Sequence, residues 1–224
     1  DGYFRDYDRR TTEINGDFIA YFNKNFGMLS INALAGANYR DYNYEIKSVG
    51  ADELTVPGLY TVTNAKGNAI TSQNHELRRS NSVYSNFSFG WDNQVYLDIS
   101  LRNDWDSRLP IANNSFLYGG LSASVMLNQL IKNADWLNYW KIRGSFAQVG
   151  STLSAYNTLM AYNYTNSNNA NYKYNNMTAL YPSSSQLNPS IKPTISTSYE
   201  VGTEFRMFDN RFWGDINYYR RDTT

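Results

Sequence analysis

Side chains able to do catalytic chemistry are few in this chain. His75 is the only histidine and cysteine is absent, so any histidine-based triad would have to use His75, and no two-histidine or thiolate zinc site can be built. His75 stands in Gln73-Asn74-His75-Glu76, a polar stretch in which a solvated loop residue is the expectation. Asp104 and Asp106 have the spacing of a glycosidase-like carboxylate pair. Arg102 and Arg108 flank them, and a salt-bridged strand end accounts for the four charges better than acid–base catalysis does. There is no Gly-Lys-Ser phosphate cradle and no nucleophile elbow. The reading is of a protein that is not an enzyme, with no cofactor and no metal site.

Binding chemistry is better represented. Tyr156, Tyr162, Tyr164, Tyr172 and Tyr174 lie in Asn- and Ser-rich sequence, and tyrosine faces beside Asn amides suit sugar rings or peptide backbones. The same residues would serve equally to pack a loop on itself or against a partner. Arg102, Asp104, Lys141, Arg143, Glu200, Glu204 and Arg206 form a second group, readable either as a hydrophilic lining that meets ligand or as a wall of mutually paired charges.

The elements that position these residues follow from composition and periodicity. Twenty basic residues balance twenty acidic ones, so nothing attracts a nucleic acid and no nucleic-acid partner is expected. The chain holds 20 Tyr, 11 Phe and 5 Trp, yet its mean hydropathy is −0.58. Aromatic and hydrophilic together suit strands with one lipid-facing side, since only every second residue must then be apolar. No run approaches the roughly 20 apolar residues of a membrane-spanning helix.

Alternation marks about eight strands: Thr12 to Lys24, Met28 to Tyr42, Asn81 to Trp91, Gln94 to Trp105, Ser115 to Asn128, Asn138 to Gly150, Thr194 to Phe208 and Arg211 to Arg221. Asn25-Phe26-Gly27, Asp92-Asn93 and Asp209-Asn210 are short turns of residues that tolerate positive φ. On the other side come long polar connections, about 43–80, 106–114 and 151–193. Loops of that length are uncommon in a compact soluble domain but expected on the outside of an outer-membrane barrel. The fold class is therefore all-β, part of a large antiparallel transmembrane barrel with short periplasmic turns and long extracellular loops.

Register follows from energy. In the fourth strand Val95, Leu97, Ile99 and Leu101 share one face, and Tyr96, Asp98, Ser100 and Arg102 share the other. A slip of one residue would place Arg102 in lipid at ~2–4 kcal/mol near the midplane. The same reasoning turns Val83, Phe87, Phe89 and Trp91 outward, then Leu117, Leu121 and Val125, and then Tyr199, Val201 and Phe205. For the first strand, Phe18/Phe22 and Ile19/Tyr21 both remain candidates for the outward set. Phe22, Phe26, Trp91, Trp136, Trp140, Phe208, Phe212 and Trp213 gather by the short turns, as a periplasmic aromatic girdle would.

Several strings resemble one family. Tyr96 to Pro110, with Leu101-Arg102-Asn103-Asp104-Trp105-Asp106-Ser107, is similar to the "lR-D-SS" strand end of SusC/RagA-family TonB-dependent transporters. Lys141-Ile142-Arg143-Gly144-Ser145-Phe146-Ala147-Gln148-Val149-Gly150 resembles their "LR-S-GQVGN" strand, with Ser151 where Asn is usual. Leu187-Asn188-Pro189-Ser190-Ile191-Lys192-Pro193 through Tyr199-Glu200-Val201-Gly202 looks like "NPNLKPE-TTSYEVG", with Thr194 in place of Glu. Phe208-Asp209-Asn210-Arg211 and Tyr218 to Thr224 match "FFNNRL" and "YYDKKTTD". The order and spacing of these matches cover about residues 83–224.

The resemblance implies a barrel of about 22 strands around an N-terminal plug, of which residues 1–224 would be a part lacking the plug and the closing strands. It further implies a Bacteroidetes-type outer-membrane location, active import of glycan or peptide fragments, a SusD-like lipoprotein lid, and coupling to TonB-ExbB-ExbD through the plug. Two other readings stay open: a passive or structural outer-membrane barrel, and a soluble Tyr/Asn-rich sugar-binding sheet protein.

Overall fold

Alternating side chains joined by turns with positive φ have one low-energy arrangement, an antiparallel meander. The computed structural model describes residues 2–129, 131, 135–156, 162–164, 180–182, 188 and 190–224. Its strands are β1 (Phe4–Phe26), β2 (Leu29–Ala51), β3 (Ile70–Trp91), β4 (Val95–Asp106), β5 (Ser115–Met126), β6 (Leu137–Ser151), β7 (Tyr162–Tyr164), β8 (Leu180–Pro182), β9 (Thr194–Met207) and β10 (Phe212–Thr223). Eight of them form one antiparallel sheet in the order β1-β2-β3-β4-β5-β6-β9-β10, and β7 pairs with β8 separately. No helix among the described residues is long and apolar enough to cross a membrane, which says nothing against crossing by strands.

Turn chemistry is as the sequence reads at Asp92-Asn93 and Asp209-Asn210, whereas the first turn is Gly27-Met28, because Asn25 and Phe26 stay in β1 and pair with Ser30 and Leu29. Asp92 and Asn93 have φ of 49° and 53°, and Gln94 N donates to Trp91 O at 2.9 Å. Asp209 and Asn210 follow the same pattern at 54° and 63°, and Phe208 joins them at 55°. Gly27, at φ 61°, closes the first hairpin, where a side chain would be strained.

One face of the sheet carries a level apolar belt. Phe18 of β1 pairs with Ala37 of β2, which pairs with Val83 of β3; four residues lower, Phe22, Ala33 and Phe87 form the equivalent row. Small alanines between large rings let the row lie flat. The row through Phe87 continues into Ile99, Leu121, Phe146 and Tyr199. Along β2 the belt runs from Leu29 to Tyr39, about 11 residues, which is the length a tilted membrane strand needs. Pairing also resolves the first strand: Phe18 and Phe22 lie on the belt, whereas Ile19 and Tyr21 share the other face with Asp17. The opposite register would have put Asp17 in the belt. Trp213 departs from the expected girdle, because it pairs with Arg206 on the polar face.

Strand ends depart from the sequence reading in one region. β1, β2 and β3 run to 23, 23 and 22 residues, so the connection expected over 43–80 shrinks to residues 52–69. Above the belt, the outer face of β2 becomes Asp41, Asn43, Glu45 and Lys47, while Tyr44 and Ile46 stand on the inner one. Hydropathy alternation stops there although backbone pairing continues, because both faces are wet. Arg40–Ala51 adds about 40 Å of strand to the sheet. At the tip of this three-stranded arm Asn64, 7% exposed, accepts from Val56 N at 3.0 Å and donates to Val56 O and Leu59 O at 2.8 Å. Beside it Leu54 is 4% exposed.

The belt generates a test. Leu121→Arg should cost ~2–4 kcal/mol of folding free energy in bilayers, read from reversible unfolding in lipid vesicles, whereas Ser122→Arg on the polar face should cost under about 1 kcal/mol.

Candidate functional site

The face opposite the belt is polar and holds an open cleft of about 560 Å³ lined from β1 to β6. Pairing register brings its side chains together. Tyr84, Arg102 and Tyr118 lie in one row of β3, β4 and β5, and Ser82, Asp104 and Phe116 lie in the next. Arg102 Nε donates to Asp104 Oδ1 at 2.7 Å, and its Nη2 donates to Ser82 Oγ at 2.8 Å. Tyr118 OH donates to the other Asp104 oxygen at 2.6 Å. The Arg102 guanidinium also lies over the Tyr84 ring, 5.5 Å from its centroid.

Tyr84 extends this network sideways. Its ring lies over Gly36 of β2, where any Cβ would collide with the phenol. Crossing the glycine lets the hydroxyl donate to Asp17 of β1 at 3.4 Å. Asn38 donates to the same Asp17 oxygen at 2.9 Å and to Asn15 at 2.8 Å. A continuous polar band thus ties five strands together across the inner wall.

The upper rim is a separate unit. Asp106, 5% exposed, accepts from Arg108 Nε at 2.8 Å, Nη2 at 2.5 Å and the backbone N at 2.9 Å. Burial pushes its carboxyl up, but the hydrogen bonds and charge of Arg108 outweigh burial and hold it below the usual carboxylate range. Asp104 and Asp106 are each engaged by an arginine, as the salt-bridged reading expects. Neither carboxylate is left available as an acid–base partner for the other.

Farther along the wall, Arg143 Nη2 donates to Asp215 at 3.0 Å and to Asn217 at 2.6 Å. Arg206 Nη2 pairs with Glu204 at 3.0 Å, with its guanidinium over Tyr139. Lys141 stands opposite Glu204, and Glu200 opposite Ser145 and Tyr219. All seven charged residues singled out from sequence therefore share the polar face, and five of them are in ion pairs. Asp17, Asn38, Tyr84 and Tyr118 escaped sequence reading. The signal that could have found them is the row pairing across the turn at Asp92-Asn93, which sets Tyr84 beside Arg102.

The tyrosines scatter. Tyr156 OH accepts the Leu77 N–H at 3.1 Å, capping the side of β3. Tyr162 and Tyr164 lie in β7, which is outside the main sheet, and the Tyr162 side chain is exposed. Tyr172 and Tyr174 lie outside the described residues. His75 is exposed, as expected, but it belongs to β3 rather than a loop, and its Nε2 lies 2.8 Å from Asn43 Oδ1. No group of three or more potential metal ligands occurs among the described residues.

Belt, short turns and charged inner wall together constitute one side of a membrane-embedded barrel, and residues 1–224 match the family model described as TonB dependent receptor-like, beta-barrel. The chain belongs to that family. TonB-dependent receptor P3 of Formosa agariphila is 22% identical over 221 residues, covering 96% of this chain and 21% of that protein. The chain thus spans about a fifth of that relative's length. The RagAB peptide importer in its closed-closed state superposes with a TM-score of 0.83 at 20% identity, over 98% of this chain and 24% of that one. Its open-open state superposes with a TM-score of 0.80 at 22% identity and the same coverage. These likenesses establish the fold, and the relatives are receptors and transporters rather than enzymes.

Two outcomes follow for this TonB-dependent receptor wall. Because the folded carboxyl of Asp106 titrates below its unfolded value, its contribution is complete above about pH 4 and is lost as pH falls through the lowered value. Residue-resolved hydrogen exchange should then show the Arg108 and Leu109 amides opening in strong acid. Asp106→Asn should open them at neutral pH and remove the acid dependence. Separately, Gly36→Val should expel the Tyr84 ring and destabilise the wall by about 1–3 kcal/mol, measured by unfolding in lipid vesicles.

Proposed function

We propose that this wall belongs to an outer-membrane TonB-dependent importer that takes up glycan or peptide fragments. In this reading a SusD-like lipoprotein closes over the extracellular side. The observation that carries it is the coexistence, in one sheet, of a membrane-length apolar belt and an inner wall whose charges are paired locally. A lumen lined in this way is hydrophilic without being strongly charged of either sign, so it can pass a polar cargo without trapping it. Family membership supports energised import over passive flow, since the family is described as TonB dependent receptor-like. The peptide-importer structures that share the fold are consistent with oligomeric cargo.

Arg102, Asp104, Lys141, Arg143, Glu200, Glu204 and Arg206 are proposed to face the plug and the passing cargo. Ion pairs already made within the wall leave Arg102, Asp104, Arg143, Glu204 and Arg206 a positioning role, exchanging partners rather than offering bare charge. Tyr162 and Tyr164 remain proposed cargo contacts from the extracellular side, whereas Tyr156 is committed to capping β3.

The test combines location, energy and partner. The full-length protein should fractionate with outer membranes, and uptake of a labelled mixed oligosaccharide and peptide pool should fall at least about tenfold when TonB is deleted. A surface lipoprotein should co-purify from native membranes. Uptake that persists without TonB would replace this reading with a passive barrel.

A further inference from the structure

The upper part of β3 carries an edge that the main sheet leaves open. Peptide groups along an antiparallel strand point alternately to its two neighbours. At the base of the hairpin Asp92 N donates to Met28 O at 2.8 Å, so even-numbered residues of β3 bond to β2. Odd-numbered residues face β4, and Ser107 N donates to Arg79 O at 2.9 Å where that ladder ends. β4 stops at Asp106, whereas β3 continues up to Ile70.

Two positions on this edge are closed by side chains. Arg79 N donates to Ser107 Oγ at 2.9 Å, and Leu77 N donates to Tyr156 OH at 3.1 Å. Tyr156 holds φ of 63°, a backbone state uncommon for tyrosine. Above it, the edge-facing N–H and C=O groups of His75, Gln73 and Thr71 bond to nothing among the described residues. Their side chains do not cover the edge either. His75 is tied to Asn43, and Gln73 donates to Glu45 at 2.9 Å, both toward β2.

Proteins ordinarily blunt such an edge with Lys, Pro or a bulge. Thr71-Ser72-Gln73-Asn74-His75 has neither residue, every position is exposed, and the pairing with β2 runs to Ile70 without a register shift.

We infer that Thr71–His75 is a strand-addition site for an extended peptide ligand arriving from outside the cell. Geometry selects the class of ligand. Alternating N–H and C=O groups repeating every two residues are complementary to another extended polypeptide, and sugar hydroxyls do not repeat with that polarity. The added strand would continue the β4 ladder upward, directly above the inner-wall cleft. Three edge residues offer up to six backbone hydrogen bonds, so recognition is tolerant of side-chain sequence. The inference rests on the import reading above and narrows its cargo to peptides.

Residue-resolved hydrogen exchange on the full-length transporter in detergent tests it. The probe is an octapeptide of four Thr-Val repeats with blocked ends, compared with the same peptide N-methylated at alternate residues. Amides of Thr71, Gln73 and His75 should exchange freely without peptide and at least ~10-fold more slowly with it, and the N-methylated peptide should have no effect. Gln73→Pro removes one edge donor without touching the β2 ladder and should abolish the slowing. Edge amides already protected in the free transporter, protected only when the lid lipoprotein is added, unaffected by the probe, or slowed equally by the N-methylated peptide would each overturn the site. TonB-dependent uptake of the labelled pool, measured in parallel, keeps the two readings apart: loss of TonB dependence sinks import, whereas exchange results alone sink the edge.

Discussion

The backbone hydrogen-bond ladder is the constraint on which this structure depends. A strand crossing hydrocarbon has no water to satisfy its peptide groups, so each must be met by a neighbouring strand. Pairing within one eight-stranded sheet then fixes which side chains share a row. Once Leu97, Ile99 and Leu101 are committed to lipid, Asp98, Ser100 and Arg102 have only the inner face to occupy. The polar cleft is thus a consequence of the belt.

That inheritance explains the charge pattern of the inner wall. Charges forced inward by register stand within reach of the adjacent row, and pairing them locally avoids a lumen that would bind one ion sign tightly. Arg102 illustrates how far this goes, since it reaches Asp104, Ser82 and the Tyr84 face at once. Gly36 is what lets Tyr84 carry the band on to Asp17, across a strand whose own contribution is the absence of a side chain. A wall so interconnected resists changes in register more than it attracts any particular ligand.

Much of this was legible in the sequence because alternation is strong wherever one face meets lipid and the other water. The belt residues of β4, β5 and β9, the turns at Asp92-Asn93 and Asp209-Asn210, and the Arg102–Asp104 and Arg108–Asp106 pairs all follow from it. Legibility failed where that contrast was missing. β1 carries aromatic side chains on both faces, so Phe18 and Tyr21 could not be told apart until Ala37 and Leu34 were seen opposite them. The arms of β1 to β3 above the belt are wet on both sides, so a loop-like composition conceals continuous pairing. Row neighbours such as Tyr84 and Tyr118 were hidden for a different reason: they acquire meaning only from the strand beside them.

The same ladder argument has a different outcome above the membrane. Within hydrocarbon an unpaired strand edge would cost several kcal/mol per peptide group, so β3 and β4 are matched residue for residue from Trp91 and Val95 up to Ser80 and Asp106. In water the penalty nearly vanishes, because solvent can bond the exposed groups. Extending β3 beyond β4 therefore costs little stability, and extra strand is tolerated only where water replaces the missing partner. Tyr156 and Ser107 close the first two edge positions above the β4 ladder, and the positions beyond them are left to solvent. An edge that is inexpensive to leave open is also inexpensive to fill, since an incoming strand displaces only water and meets a backbone that β2 already holds extended. That pre-organisation is what distinguishes the top of β3 from an ordinary loop of the same composition.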